Sequence, residues 1–446
     1  MKDEVVRKYF NELIRLDPTN ERYYEIAANR SSDATQSLNY LSLACERFNN
    51  DYYIINSYIS SLLDFWEDRV KQENFSSIAK TIEDYINKSL QLYPYIDNSA
   101  FSYRVRYIQL VYADNRQKMQ EGLDSLCNDV TTKYKYHPQT LYILRLTKSK
   151  FLSETWIKES LDFYYKADND HFIEQVYIEL LHWYNSKNEF NKVLETFVEF
   201  EKGYLCSDKY KYLKGKLLMA QEYFEDALEV FRTLPNNPKA NEQIMTIMAY
   251  QKKNDELTKF YNELNNKGEY REHYYSLIDN HQELIDLYKE KSTTNSLTKS
   301  EVVAYAFSLL KMEDYDSVIS LLKPYYDNPQ LTDGAIIVNY QCANLNRDRN
   351  AVDRKTIIGK IKAKIKEKIF DNKYIDYSDF EKFGAACIIG DMNEIVSYLN
   401  KLIKVTPLDK YVVSGWPVLA PYLGDSRIQR LLAPSEKTLK LKTQEK

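Results

Sequence analysis

The sequence predicts an all-α fold, an α-solenoid: a superhelix of antiparallel helix pairs. Three observations point there. Val193 and Ala227 stand 34 residues apart, as do Phe197 and Phe231, which is the period of a stacked helix-turn-helix unit rather than of an enzyme core. Ala227, Phe231 and Leu234 fall at i, i+4 and i+7, the stripe of a helix that must bury one flank against a neighbour. Only 10 glycines and 11 prolines occur in 446 residues, so there is little material for hairpins or long loops.

The elements follow in order. Helices are expected near 2–16, 20–30, 33–49, 52–72 and 75–93, the first closed by Asp17-Pro18 and the last by Pro94. Thr19-Asn20 and Ser31-Ser32-Asp33 read as caps, because short polar side chains accept the unpaired amide hydrogens of the next turn. Further helices are expected near 99–115, 117–134 and 139–167, with His137-Pro138 as a break and Asp168-Asn169-Asp170 as a helix boundary. The clearest units occupy 174–266. In one of them Tyr177, Leu181, Tyr184, Val193, Phe197 and Phe200 keep the register. In the next, Gly215 sits mid-helix where another helix must come close, Glu222 and Tyr223 mark the turn, and Pro235 and Pro238 are expected to stop the second helix. The polar run from Lys291 to Ser300 is the preferred place for a domain joint. Ile357, Ile361, Ile365 and Ile369 recur at four-residue steps beside Lys360, Lys364 and Lys368; this is an amphipathic helix whose basic face is expected to be a solvated flank over a core stripe. Trp416-Pro417-Val418-Leu419 and Asp425–Leu432 read as a closing segment, since a terminal repeat has no neighbour on its outer face. The resulting organisation is 1–170 irregular helical repeats, 171–291 the clearest repeats, 298–433 further repeats with a capping segment, and 434–446 a flexible tail.

Gly215, Ala227 and Phe231 form a small-small-aromatic pattern that resembles the tetratricopeptide repeat. Fainter copies occur at Leu257 and Tyr261, at Val318 and Leu322, and at Gly390 with Ile395, Leu399 and Leu402. The family's tryptophan is replaced by Tyr177 and Lys211, and its small alanine by Val193 and Ile395. The copy after Ala227 follows 30 residues on, at Leu257. Bulkier residues at such a contact push helices apart, so irregular curvature is expected. The resemblance implies that the first helix of each pair lines a concave face. The matching positions are Gln175, Ile178, His182 and Asn185 in one repeat and Lys209, Tyr212, Lys216 and Met219 in the next, a wall suited to a peptide with some acidic groups. The family's carboxylate-gripping lysine and asparagine would fall at Ile178 and His182, so that clamp is missing from this pair.

Composition narrows the function classes. Hydrophobic residues make up 44% and charged residues 28%, ordinary for a folded chain. A net charge of −4 argues against a general nucleic-acid binder, which needs clustered Lys and Arg. Cys45, Cys127, Cys206, Cys342 and Cys387 lie far apart with no CxxC pair, consistent with free thiols in a reducing, cytoplasmic setting. No apolar run reaches 18 residues, so membrane insertion is not expected. Phosphate-loop, dinucleotide, zinc-protease, nucleophile-elbow and kinase motifs are absent. His137, His171, His182, His273 and His281 are not paired at i+3 or i+4, so no metal, cofactor or catalytic residue is expected. The sequence therefore reads as a non-catalytic scaffold for a protein or peptide partner. The alternative is a regulatory or sensing segment or subunit that controls a signalling or defence enzyme.

Overall fold

The computed structural model describes residues 2–31, 33–69, 75–92, 100–112, 115–294, 297–328, 332–347, 353–371 and 377–433. Among them the chain is all-α, with helices joined by short turns and no strand. It divides into two compact units, Met1–Cys206 and Ser207–Lys446, each described here by itself.

The first unit comprises α1 (Lys2–Leu16), α2 (Glu21–Arg30), α3 (Ala34–Arg47), α4 (Tyr52–Arg69), α5 (Phe75–Leu92), α6 (Ala100–Val111), α7 (Arg116–Lys133), α8 (Pro138–Leu146), α9 (Glu154–Lys166), α10 (Asp170–Ser186) and α11 (Phe190–Gly203). Consecutive helices pack as pairs, and α4, α6, α8 and α10 also touch one another in succession. That is the neighbour pattern of a helical repeat. Asn20, Asp33 and Asn169 accept the first amides of their helices, while Ser32 lies outside the described residues. His137 caps α8 through Nδ1, which accepts from Gln139 N at 3.1 Å. The single helix expected over 139–167 is two. Lys148 turns left-handed, Ser149 N bonds back to Leu144 O, and Ser153 caps the next helix.

The second unit continues with α12 (Asp208–Ala220), α13 (Phe224–Arg232), α14 (Pro238–Tyr250), α15 (Asn254–Glu263), α16 (Lys267–Leu277), α17 (His281–Thr294), α18 (Lys299–Lys311), α19 (Tyr315–Asp327), α20 (Gly334–Arg347), α21 (Arg354–Ile365), α22 (Asp379–Ile389), α23 (Met392–Val405), α24 (Asp409–Ser414) and α25 (Ser426–Leu432). A π-helical turn, Lys366–Phe370, extends α21. Pro238 begins α14 at its first position, behind the cap Asn237, instead of ending α13. Proline suits that position because its missing N–H would have had no intrahelical partner. Gly215 meets the Phe231 ring: a Cβ there would lie 2.6 Å from it. The run from Lys291 to Ser300 is internal to this unit. Lys291 Nζ bridges Glu272 Oε2 at 2.6 Å and Glu301 Oε1 at 2.8 Å, and Thr298 with Glu301 forms a capping box for α18. Ile361, Ile365 and Ile369 are buried and Ile357 is half-buried, while Lys360 and Lys364 face solvent. The tail from 434 lies outside the described residues.

One turn recurs through both units. Lys148, Asp168, Asn188, Glu222, Lys252, Asp279 and Glu313 all have positive φ between 51° and 64°. In each case the next residue's N–H reaches back five residues, as in Tyr223 N to Leu218 O and Lys253 N to Met248 O. This closure satisfies carbonyls that a helix end leaves unpaired. Glycine normally fills the left-handed position; among the described residues Gly390 does so, at φ 80°.

Candidate partner-binding cavity

The structure places the eight groove positions as follows. On α10, Ile178 is buried at 6% exposure, while Gln175, His182 and Asn185 are half-buried. On α12, Lys209 and Lys216 are exposed, Tyr212 is half-buried with its ring 5.8 Å from that of Phe231, and Met219 is buried at 3% exposure. Ile178 and Met219 are therefore packing residues with no surface to offer a partner. The four residues of α10 belong to the first unit and the four of α12 to the second.

The second unit contains a different concavity, a cavity of about 570 Å³. Its wall takes side chains from α14, α16, α17, α18, α20, α22 and the α24 segment. Glu242, Glu269, Glu272 and His273 are among its polar lining residues, and Leu284, Val303, Phe307, Phe380 and Trp416 among its apolar ones. Among the described residues the wall includes no lysine or arginine. The size falls within the usual range for a ligand pocket.

Each polar group is held by its own local bonds. Glu272 accepts from Tyr288 Oη at 2.8 Å and pairs with Lys291. Burial first, then the hydrogen bond to Glu272, raises the Tyr288 phenol above its ordinary range. His273 Nε2 lies 3.0 Å from Thr246 Oγ1 and 3.2 Å from the Glu242 carbonyl. Glu242 and Glu269 have no ion pair among the described residues. The Glu242 carboxylate acts on Tyr212, whose phenol is raised by burial first and then by that charge, so one residue singled out from the sequence adjoins the cavity's acidic side. His281 is buried at 6% exposure and touches Phe307 edge to face at 5.9 Å. Burial, then the Lys311 ammonium, lower its imidazole below the ordinary 6.5, with Asp279 opposing.

The α24 segment closes the wall. Trp416 stacks on Phe380 at 4.8 Å and donates Nε1–H to Asn339 Oδ1 at 3.2 Å. It fits because Gly384 has no side chain: a Cβ there would collide with the indole. Further back, Lys410 forms an ion pair with Glu222, both side chains being buried, and donates to Ala433 O at 3.2 Å. Tyr411 stacks on Tyr250 with centroids 4.3 Å apart and donates to Glu222 at 3.3 Å. The end of the unit thus reaches its first hairpin, the turn between α12 and α13.

Sequence reasoning missed Glu242, Glu269 and Glu272 because the repeat register drifts. The left-handed residues that mark the turns, Glu222, Lys252, Asp279 and Glu313, stand 30, 27 and then 34 positions apart, so a fixed 34-residue frame misplaces the first helices after α12. The signal that could have found them is the turn: a polar residue flanked by helix ends, not an alignment of apolar positions.

Among the described residues no group of three His, Cys, Asp or Glu side chains could hold a metal ion, and no helix is long and apolar enough to cross a membrane. No family model and no curated protein sequence matches the chain. Among solved structures it is similar to the TPR domain of P58(IPK) at 10% identity, covering 97% of this chain and 96% of that one with a TM-score of 0.20. It is similar to yeast Tom70 at 11% identity, covering 95% and 94% with a TM-score of 0.26. It is also similar to the structure of Naa15/Naa10 bound to HypK-THB at 14% identity, covering 97% and 66% with a TM-score of 0.21. No partner or activity follows from likenesses of this degree.

Proposed function

We propose that this protein is a non-catalytic helical-repeat scaffold that holds a segment of a protein partner in the cavity of its second unit. The observation that carries the reading is the cavity itself. Helices α14, α16, α18, α20 and α22 all line one cavity of about 570 Å³, whose mixed apolar and polar side chains could fix an extended or helical peptide. Lys209 and Lys216, exposed on α12 on either side of Tyr212, are proposed to meet acidic residues flanking the seated segment. Exposed charges of this kind tune encounter rate and register more than affinity.

The test is affinity capture from the native cell with three baits: the natural chain, Ala304→Trp, and Tyr212→Ala with Lys216→Glu. Ala304 lines the cavity and is half-buried, so an indole there fills the space. A partner retained by the natural chain and lost with Ala304→Trp, the helical circular dichroism being unchanged, supports the reading. Equal capture by both moves the site elsewhere, and loss with the Tyr212/Lys216 variant alone moves it to the α12 face.

A further inference from the structure

We infer that Asn339 fixes the seated segment by donating its side-chain amide N–H to a main-chain carbonyl of that segment. The inference rests on the proposed peptide-binding reading and names the residue and the chemistry that hold the occupant.

Asn339 lines the cavity from α20 and is buried at 2% exposure. The indole N–H of Trp416 can only donate, so the Asn339 atom that meets it at 3.2 Å is the acceptor Oδ1. That bond sets the orientation of the carboxamide and leaves Nδ2, with two N–H donors, on its other side. Among the described residues Nδ2 has no hydrogen-bond partner, yet it is not one of the polar atoms sealed inside the core. Its remaining open surface belongs to the cavity that Asn339 lines. A donor left unpaired in a buried side chain is costly, and an acceptor on the occupant relieves that cost.

The lining around Asn339 decides which acceptor. Ser300, Ala304 and Ser308 follow at four-residue steps on α18, and Ala335 stands one turn before Asn339 on α20, which packs against α18. Ser308 spends its hydroxyl proton on the Ala304 carbonyl at 3.1 Å, so it does not compete as a donor. Side chains this short admit the main chain of a peptide where longer ones would hold it away. Main-chain hydrogen bonds then supply affinity, while Leu284, Val303, Phe307 and Phe380 remain for the segment's apolar side chains. A carboxylate is the poorer acceptor here. Glu242, Glu269 and Glu272 line the cavity, and the two ammoniums closest to the wall do not line it and have partners of their own. Lys291 bridges Glu272 and Glu301, and Lys311, whose charge reaches His281, lies 3.7 Å from Asp279.

The experiment uses the full chain and a fluorescein-labelled Gly-Ser-Leu-Phe-Leu-Ser-Gly peptide, read by fluorescence anisotropy. Each main-chain carbonyl of the Leu-Phe-Leu core is replaced in turn by a thiocarbonyl, a weaker acceptor. One replacement should weaken binding about fivefold, the worth of a neutral hydrogen bond. In Asn339→Leu that penalty should vanish. It should vanish equally in Asn339→Asp, which keeps an acceptor for Trp416 but removes the donors, and which carries the test if the leucine variant melts early. A Leu-Glu-Leu core should bind no better than Leu-Gln-Leu. A penalty that persists in Asn339→Asp, no penalty at any position, or tighter binding of Leu-Glu-Leu overturns the inference and leaves the peptide reading standing, provided that Ala304→Trp abolishes binding. Binding indifferent to Ala304→Trp, or no binding of any of these peptides, overturns both.

Discussion

Lys410 and Glu222 are joined by a buried ion pair that ties the short α24 to the turn opening the second unit, and Tyr411 adds a hydrogen bond to the same carboxylate. The two side chains are 5% and 4% exposed. Charges so far from water are tolerable only together, because either alone bears an uncompensated desolvation cost.

Lys410→Met alone is therefore expected to destabilise the second unit by about 3–5 kcal/mol. Lys410→Met combined with Glu222→Gln should recover a large part of that loss, since the second change removes the stranded charge. Urea unfolding of the two variants and the double variant measures the coupling. Strictly additive losses would show that the pair does not act as a unit.

Gly215→Val should cost about 1–3 kcal/mol through overpacking against Phe231. Phe231→Leu in the same chain should return part of it by making room. Thermal melts of the three variants decide this, and a neutral Gly215→Val would mean that the ring has space to withdraw.

The left-handed turns predict gains rather than losses. Lys252→Gly and Glu313→Gly should each stabilise by about 1 kcal/mol, because a side chain at positive φ crowds its own carbonyl. Lys252→Val should destabilise by more than that. Urea midpoints provide the comparison; a destabilising Lys252→Gly would imply that the lysine side chain makes a contact worth more than the backbone relief.

Glu154 is held down to about 2 from its ordinary 4.5 by hydrogen bonds from Lys158 first and then from Tyr184, with Lys192 adding to them. A carboxyl lowered in the folded state contributes stability that is complete above its unfolded pKa and disappears as pH falls through the folded one. The contribution should therefore fade between about pH 4.5 and pH 2, and modestly, because the group is partly exposed. Urea midpoints of the natural chain across that window should fall more steeply than those of Glu154→Gln. Parallel curves would remove Glu154 from the acid response.

The helical class was legible in the sequence because amphipathic periodicity is a local property. Ala227, Phe231 and Gly215 lie within two helices of one hairpin, and the glycine's need to admit an aromatic ring could be inferred from that hairpin alone. Helix starts were equally local where Asn20, Asp33 and Asn169 carry their own acceptor oxygens. The cavity was not legible, since Glu242, Glu269, Phe307, Asn339 and Trp416 come from segments whose spacing follows no fixed period.

Residue pattern by itself determined that this chain makes stacked helix pairs, because burying one flank of each helix satisfies hydrophobic and backbone demands at short range. Only the tertiary structure decided where a cavity forms and which sign of charge it presents. Those depend on turns of unequal repeat length, closed by polar residues in the left-handed conformation, and on Trp416 and Lys410 meeting partners far away in the chain. Such meetings are set by accumulated packing angles, which no local stretch of sequence contains.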